Sequence, residues 1–249
     1  MPSTLGGPDL LAAIRSGEMD VVYQPQVTAA DARFVGVEAL ARWNHPTRGA
    51  LSPAAFLEAG ARSPALSALG DFVLQRACEA GARWRSLRMS VNVSPHQFQD
   101  PRLAERVVAI ARAAAMPLER LELEILEDCW FEDLPRARLA LQRLRGSGVQ
   151  IALDDFGAGY SSLSVLFDLP LDKIKLDRSF TCDPVSGATS TKIPEIVALA
   201  RAVGLSVTAE GVETEAQRAY LAAAGCDYLQ GYLFARPLSA DAIDAILAA

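Results

Sequence analysis

The chain has few of the side chains that bind soft or borderline metal ions. It contains only two histidines, His45 and His96, whereas a catalytic zinc site commonly uses two or three. Its four cysteines are scattered without a C-x-x-C pair, at Cys78, Cys129, Cys182 and Cys226. This spacing favours reduced, unpaired cysteines over a zinc site or a disulfide framework. Any metal ion bound here is therefore expected to be a hard ion with oxygen ligands.

The chain also has no excess of basic residues, because its formal net charge is −6. This balance argues against binding to bulk nucleic acid or to anionic membranes, but it is compatible with a small phosphate ligand held by metal ions. No apolar run is long enough to cross a bilayer, and residues 1–20 do not have the basic and apolar regions of a signal peptide. We therefore expect a cytoplasmic protein whose chain contains no membrane segment.

Short β-rich runs alternate with longer amphipathic stretches along the chain. The candidate strands lie at 20–27, 34–43, 88–94, 120–127, 149–156, 172–180, 205–212 and 226–234. Between the later strands, apolar residues recur every three or four positions, which predicts helices. Sustained alternation of this kind predicts the α/β class and a TIM-like (β/α)8 barrel.

The first connection modifies that barrel. Only residues 28–33 join the first two strands, and a parallel connection needs about a dozen residues or more. The first strand is therefore expected to run antiparallel to the second. No linker or charge block divides the chain, so we expect a single domain over residues 1–249, with a short helical lead-in over about residues 1–20.

Polar side chains recur at the carboxyl ends of the candidate strands from the second onward. The positions are Glu38, Asn92, Glu124, Asp154 with Asp155, Lys175 with Asp177, Glu210, and Gln230. One acidic residue at a strand end is most often solvated or caps a helix, but a polar residue at each of these strand ends is hard to explain as chance. The carboxyl ends of parallel barrel strands form the active-site mouth, so these residues are candidates for a catalytic site.

Strand alternation predicts which side chains point into the barrel. Glu122 and Glu124 share one face of their strand, and Lys173, Lys175 and Asp177 share one face of theirs. A mouth lined by this many carboxylates would repel itself without cations. Bound divalent metal ions are the simplest way to compensate this negative charge.

The adjacent carboxylates Asp154 and Asp155 follow the buried run 151–153. Neighbouring residues of a regular strand point to opposite faces, so we expect the strand to end here. Asp154 would then point inward, and Asp155 would lie where the backbone turns out of the sheet.

Two metal ions that share a carboxylate suit an in-line displacement at phosphorus by a metal-bound hydroxide. Lys175 is expected to orient the attacking water or to neutralise charge on the phosphate, and Glu210 to deprotonate or position that water. Arg42 lies on the same side of its strand as Leu40, where it can bind a phosphate oxygen. A salt bridge at the rim is the alternative for Arg42.

The ordered motifs resemble those of the EAL domain, a bacterial phosphodiesterase that opens cyclic di-GMP to linear pGpG. The matching segments are "YQPQV" (23–27), "EALARWNHPTRG" (38–49), "VNVSPHQF" (91–98), "LELEILE" (121–127), "DDFGAGYSSL" (154–163), "IKLDRSF" (174–180), "AEGVET" (209–214) and "QGYLFARPL" (230–238). The resemblance covers nearly the whole chain, and it implies a barrel with an antiparallel first strand. It also implies Mg²⁺ or Mn²⁺ as cofactor, with two ions in the site.

The resemblance assigns roles position by position. Metal ligands would be Glu38, Asn92, Glu124 and Asp154 for one ion, and Asp154 and Asp155 for the second. Lys175 and Glu210 match the residues around the attacking water, together with Glu38 as a catalytic ligand. Positions near the substrate are Gln24, Leu40, Arg42, Glu213 and Gln230. Residues that support the loop beside the second metal are Glu127, Asp177, Phe156 and Gly157.

The resemblance further implies a homodimer, and such domains are often preceded by a sensory or diguanylate cyclase domain in a longer protein. The chain departs from the usual pattern at Leu126, where threonine is common, at Ala158, and in the segment 56–70. Leu126 directly precedes Glu127, the residue that the resemblance implies as the anchor of the loop.

Two other functions are open at this point. The first is a catalytically weak or silent EAL-type receptor or interaction module, for which Leu126 is the best sequence argument. Such modules usually lose a ligand carboxylate or the lysine, and here all are present. The second is an unrelated metal-dependent barrel such as an enolase-type lyase, which would explain the carboxylates but not the ordered motifs.

Overall fold

The computed structural model describes residues 5–60, 63–126, 134–157, 164–182 and 189–248. Its strands are β1 (Met19–Thr28), β2 (Phe34–His45), β3 (Gly49–Leu51), β4 (Arg88–Val93), β5 (Leu121–Leu126), β6 (Gln150–Phe156), β7 (Lys173–Leu176), β8 (Ser206–Ala209) and β9 (Tyr228–Gln230). Its helices are α1 (Gly7–Ser16), α2 (Pro53–Gly60), α3 (Ala65–Arg83), α4 (Pro95–Phe98), α5 (Leu103–Ala113), α6 (Leu134–Gly146), α7 (Ser164–Asp168), α8 (Arg178–Thr181), α9 (Ile193–Ala202), α10 (Glu215–Ala224) and α11 (Ala240–Ala248).

The strands form a closed barrel surrounded by helices, as predicted. Their order is β1-β9-β8-β7-β6-β5-β4-β2-β3, and a further pairing of β1 with β2 closes the ring. The strands β2 and β4 to β9 run parallel in sequence around the barrel, whereas β1 is antiparallel to both of its neighbours. This confirms the reversed first strand expected from the short connection. The short β3, which was not predicted, pairs with the end of β2 in a hairpin outside the ring.

The alternation of each strand separates the core from the barrel interior. In β5, Leu121, Leu123 and Ile125 are fully buried on the helix-facing side. Glu122 and Glu124 lie between them and point into the barrel, where both meet lysines of β7. The polar interior is therefore enclosed by an apolar layer between the strands and the helices.

Local signals fix the helix that follows β8. The Thr214 hydroxyl accepts a hydrogen bond from the Gln217 backbone amide, and the Gln217 side-chain oxygen accepts one from the Thr214 backbone amide, which forms a capping box. Gly225 ends α10 in the left-handed conformation, with φ of 92°. These caps bring the chain back to β9 and so to Gln230.

The N-terminal helix α1 packs against α3 and buries Leu10 and Ala13. In the part of the chain that the structure describes, no helix is both long and apolar enough to span a membrane. The cysteines Cys78, Cys182 and Cys226 are free, as predicted, and Cys129 lies outside the described residues.

The first testable prediction concerns the close approach of the chain at Gly231. A methyl group there would overlap the backbone of Val212, whose N–H donates to the Gln230 carbonyl. Gly231→Ala should therefore lower the free energy of unfolding by about 1–3 kcal/mol, measured by urea denaturation. The matched control is Gly146→Ala, because nothing lies within contact of a methyl group at that position in α6. Equal stability of the two variants would contradict the packing described here.

Candidate active site

The two adjacent aspartates lie in a β-bulge near the end of β6. The pairing of β6 with β7 shifts register between Leu153 and Phe156, and Asp155 has a φ of 54°. The strand ends at Phe156, as in the candidate strand 149–156, so it does not stop at the aspartates; its regular pairing is interrupted there. The bulge breaks the alternation, so both carboxylates reach the barrel mouth. A left-handed residue other than glycine costs about 1–3 kcal/mol, and such strain is concentrated at functional sites.

Lys175 lies at the centre of the acidic cluster. Its ammonium nitrogen is 2.6 Å from Glu210 Oε1, 2.7 Å from Glu124 Oε2, 3.0 Å from Asp154 Oδ1 and 3.8 Å from Glu38 Oε2. The lysine is fully buried, and among its partners only Glu210 is appreciably exposed. One ammonium thus neutralises part of a concentrated negative charge.

The uncompensated charge shifts the pKa values of the carboxyls. Burial, helped by the neighbouring carboxylates, raises the pKa of Asp155 to about 6 and that of Glu210 to about 8. Burial and the charge of Glu38 raise the pKa of Glu124 well above its usual range. Burial alone would lower the pKa of Lys175, but the surrounding carboxylates raise it well above its ordinary value. The lysine is therefore charged, and the cluster favours additional positive charge.

Glu38 is held by two amides. Its Oε1 accepts a hydrogen bond of 2.7 Å from Asn92 Nδ2, and its Oε2 accepts one of 2.6 Å from Gln230 Nε2. Gln24 lies directly opposite Glu38 in the β1–β2 pairing. Burial opposes ionisation, but Lys175 and the amides together lower the pKa of Glu38. This carboxylate is therefore charged and fixed in orientation.

The residues present fit a divalent metal ion. Oxygen atoms of Asp154, Asp155 and Glu210 all lie within 4.8 Å of one another. The buried Glu124 Oε1 accepts no hydrogen bond from any residue that the structure describes. A set of carboxylate and amide oxygens suits Mg²⁺ or Mn²⁺ better than zinc.

A cleft of about 190 Å³ opens beside this cluster. Of the residues predicted near a substrate or in catalysis, its lining includes Gln24, Glu38, Leu40, Glu210, Glu213 and Gln230. Glu213 also forms an ion pair of 2.7 Å with Arg178 at the rim. Arg42 is outside the described lining, and its guanidinium donates to the Ala41 carbonyl at 2.8 Å.

Of the residues predicted to support the loop beside the second metal, the structure describes Asp177, Phe156 and Gly157. The strand predicted to continue through Asp177 ends one residue earlier, at Leu176, and Asp177 caps α8 by accepting a hydrogen bond of 2.9 Å from the Ser179 amide. Phe156 is buried, and Gly157 has a φ of 90° against the ring of Phe180. Glu127 and Ala158 lie outside the described residues, so the anchoring of the loop stays a prediction.

Three residues of the site were not found from the sequence. Arg178 and Tyr232 line the cleft, and Gln26 donates a hydrogen bond of 2.9 Å to Gln230 Oε1. The signal for Gln26 was present, because it lies two residues after Gln24 on the same face of β1. Arg178 begins α8 and Tyr232 lies in a turn after β9, and strand alternation predicts nothing at either position.

Comparison with known sequences and structures identifies the family. The sequence profile of the EAL domain matches residues 8–237. The chain belongs to the EAL domain family. This EAL domain is 38% identical over 247 residues to the cyclic di-GMP phosphodiesterase NbdA of Pseudomonas aeruginosa, covering 97% of this chain and 32% of NbdA.

Solved structures of the family have the same architecture. The PaMucR phosphodiesterase in complex with c-di-GMP superposes with a TM-score of 0.88 at 35% identity, covering 95% of this chain and 98% of that chain. The manganese and cy-diGMP complex of BlrP1 from Klebsiella pneumoniae gives 0.77 at 29% identity, covering 89% of this chain and 56% of that chain. The chain spans about a third of the length of the curated relatives it matches.

The second prediction concerns the pH dependence of stability in EDTA. The pKa of Glu210 is about 8 in the folded state against 4.5 for an ordinary glutamate, so the folded chain binds more protons between those values. Stability should therefore fall as the pH rises from about 5 to 8, by linkage. Glu210→Gln should reduce that fall, measured as melting temperatures at pH 5.5 and pH 8.

The matched control for this experiment is Glu119→Gln, because Glu119 is exposed in the turn before β5. It should keep the pH dependence of the unsubstituted chain. A Glu210→Gln variant with that same pH dependence would contradict the shifted pKa.

Proposed function

We propose that this EAL domain is a metal-dependent phosphodiesterase that hydrolyses cyclic di-GMP to linear pGpG. The observation that carries the proposal is the cluster of Asp154, Asp155 and Glu210 around buried Lys175, open to a cleft beside it. The family, and relatives named as cyclic di-GMP phosphodiesterases, support this substrate.

The proposed cofactor is a pair of Mg²⁺ or Mn²⁺ ions. Glu38, Asn92, Glu124 and Asp154 would hold one ion, and Asp154 and Asp155 the other. When bound, the ions would supply positive charge for the phosphate and lower the pKa of a bound water. The bulge supports this division, because it aims two adjacent carboxylates into one mouth. The manganese-containing BlrP1 structure supports the choice of metal.

The remaining residues would position the reactants. Lys175 would balance charge that develops on the phosphate, since its ammonium is fixed by three carboxylates within 3.0 Å. Glu210 would orient the attacking water and take its proton, because its carboxylate borders both the lysine and the cleft. Gln24, Leu40, Glu213 and Gln230 would contact the substrate from the cleft wall. Arg42 would reach a phosphate only after leaving the Ala41 carbonyl.

We also propose that the chain acts in the cytoplasm as a homodimer, within a longer protein that carries a sensory or diguanylate cyclase domain upstream. The chain covers only 29% and 32% of the length of two of its relatives, which supports the longer protein. Exposed apolar side chains support the dimer: Leu139 of α6 is 49% exposed and Phe167 of α7 is 61% exposed. These surfaces would be covered by a second copy.

A receptor without turnover is the second candidate. One observation favours it: Leu126, at the end of β5, lines an apolar cavity of about 300 Å³ together with Asn92 and Leu40. A polar threonine is usual at that position, so the surroundings of the metal ligand Asn92 are more apolar than the family pattern implies. Turnover decides between the two candidates.

The third prediction is that the purified chain converts cyclic di-GMP to pGpG with Mn²⁺ or Mg²⁺, and that excess EDTA abolishes this activity. Product formation is followed by chromatography, with binding measured in parallel by calorimetry. Binding that persists in EDTA without turnover under any metal condition would refute the enzyme and support the receptor.

The fourth prediction is that Glu38→Ala loses turnover by a factor of at least about 100, because it removes a metal ligand and the partner of two amides. The fold should persist, as judged by circular dichroism. The matched control is Glu119→Ala, an exposed acid in the turn before β5, which should retain activity. Near-normal turnover of Glu38→Ala would refute its assigned role.

A further inference from the structure

A chain of hydrogen bonds runs through the barrel interior beneath the acidic cluster. It starts at an ion pair of 2.6 Å between Glu122 of β5 and Lys173 of β7, both almost fully buried. The Lys173 ammonium also lies 4.7 Å from the centre of the Tyr228 ring. This pair holds Glu122 as a charged acceptor, since Lys173 lowers its pKa against the effect of burial.

The charge of Glu122 sets the direction of the bonds that follow. Its Oε1 accepts a hydrogen bond of 2.8 Å from the Ser90 hydroxyl. A carboxylate can only accept, so the hydroxyl proton is committed to Glu122 and the Ser90 oxygen is left as an acceptor. Gln26 Nε2 lies 3.5 Å from that oxygen and 2.9 Å from Gln230 Oε1. The side-chain nitrogen of Gln26 therefore faces both the Ser90 oxygen and Gln230 Oε1.

The orientation of Gln26 in turn fixes Gln230. Because Gln230 Oε1 accepts from Gln26, its Nε2 is directed at Glu38 Oε2 at 2.6 Å and at Gln24 Oε1 at 3.3 Å. A flipped Gln230 amide would place its oxygen against the Glu38 carboxylate and its nitrogen against the nitrogen of Gln26. Both contacts would be repulsive, so Gln26 selects the amide orientation in which Glu38 has a donor.

The reversed first strand makes this contact possible. Gln26 lies directly opposite Gln230 in the β1–β9 pairing and opposite Gly36 in the β1–β2 pairing. Gly36 leaves room for the Gln26 amide, whose oxygen would be 3.2 Å from a methyl group at that position. Gln26 is 4% exposed and is not among the residues that line the described part of the cleft. Its contacts therefore act on the site only through Gln230.

We infer that Gln26 is a positioning residue for the metal centre: it fixes the Gln230 carboxamide so that Glu38 is held in one orientation as a ligand. The inference rests on the proposed function only in taking Glu38 as a metal ligand. Outer partners of a ligand typically change metal affinity by about 10–100-fold when they are removed. Gln26→Met keeps the length and bulk of the side chain, removes its donors and leaves Gln230 Oε1 without the donor that fixes it.

The test measures Mn²⁺ binding directly, by calorimetry on the full chain without substrate, and turnover separately. Gln26→Met should weaken Mn²⁺ binding by about 10-fold, and should lower kcat at limiting Mn²⁺ while leaving KM for cyclic di-GMP within about twofold. A role in packing alone would lower the melting temperature and leave the Mn²⁺ affinity unchanged, and that result would overturn the inference. Because the binding titration needs no turnover, it remains decisive even if the chain proves to be inactive.

A matched control and a second variant complete the test. Thr208→Val is the control, because Thr208 is equally buried inside the barrel and its hydroxyl has no hydrogen-bond partner among the described residues; it should bind Mn²⁺ as the unsubstituted chain does. If Gln26→Met does not fold, Ser90→Ala breaks the next bond of the same chain and should weaken Mn²⁺ binding by a smaller factor. Unchanged Mn²⁺ binding by a folded Ser90→Ala, with Gln26→Met unfolded, would also overturn the inference.

Discussion

The buried ammonium of Lys175 is the interaction on which the rest of the barrel mouth depends. It lies within 3.0 Å of Glu124, Asp154 and Glu210, which come from three different strands or strand ends. Without a cation there, these carboxylates could not be buried together at neutral pH. The lysine balances only part of the charge, however, and burial together with the neighbouring carboxylates raises the pKa values of Asp155 and Glu210. The site therefore contains one permanent cation, the Lys175 ammonium, and carboxylates whose remaining negative charge favours further cations. Divalent metal ions would supply that positive charge.

The reversed β1 gives the site its second layer of organisation. Its antiparallel pairing with β2 and β9 sets Gln24 opposite Glu38, and Gln26 opposite Gln230. In a regular parallel barrel these residues would pair in a different register. The Gln230 amide, which donates to Glu38, would then need another residue to hold it in place. The strand reversal is thus more than a variation of topology, because it places Gln24 and Gln26 against Gln230, the amide that donates to Glu38. The backbone strain at Asp155 has a comparable effect on β6, where it turns adjacent side chains toward one mouth.

Much of the fold could be predicted from local patterns. Alternation assigned Glu122, Glu124, Lys173 and Lys175 to the interior, and the structure pairs them as two ion pairs across β5 and β7. The short connection of residues 28–33 predicted the reversed strand. Alternation assumes a regular strand, so it indicated a break at Asp155 without showing the bulge, and it carried the strand of Lys175 one residue too far, to Asp177. It also missed Arg178 and Tyr232, which line the cleft from positions beyond the ends of their strands.

The chemical type of the site was therefore decided by the sequence: hard oxygen ligands on successive strands, a lysine among them, and almost no histidine, in the order of the EAL motifs. These properties follow from residue identity and from periods of two or about four residues, which are local. The tertiary structure alone decided how those groups meet. Three features depend on the register between distant strands. They are the distance of 2.6 Å from Lys175 to Glu210, the bulge that brings Asp154 and Asp155 together, and the series of hydrogen bonds from Glu122 to Glu38. Register between strands that are far apart in the chain is set by closure of the whole barrel, and no local pattern specifies it.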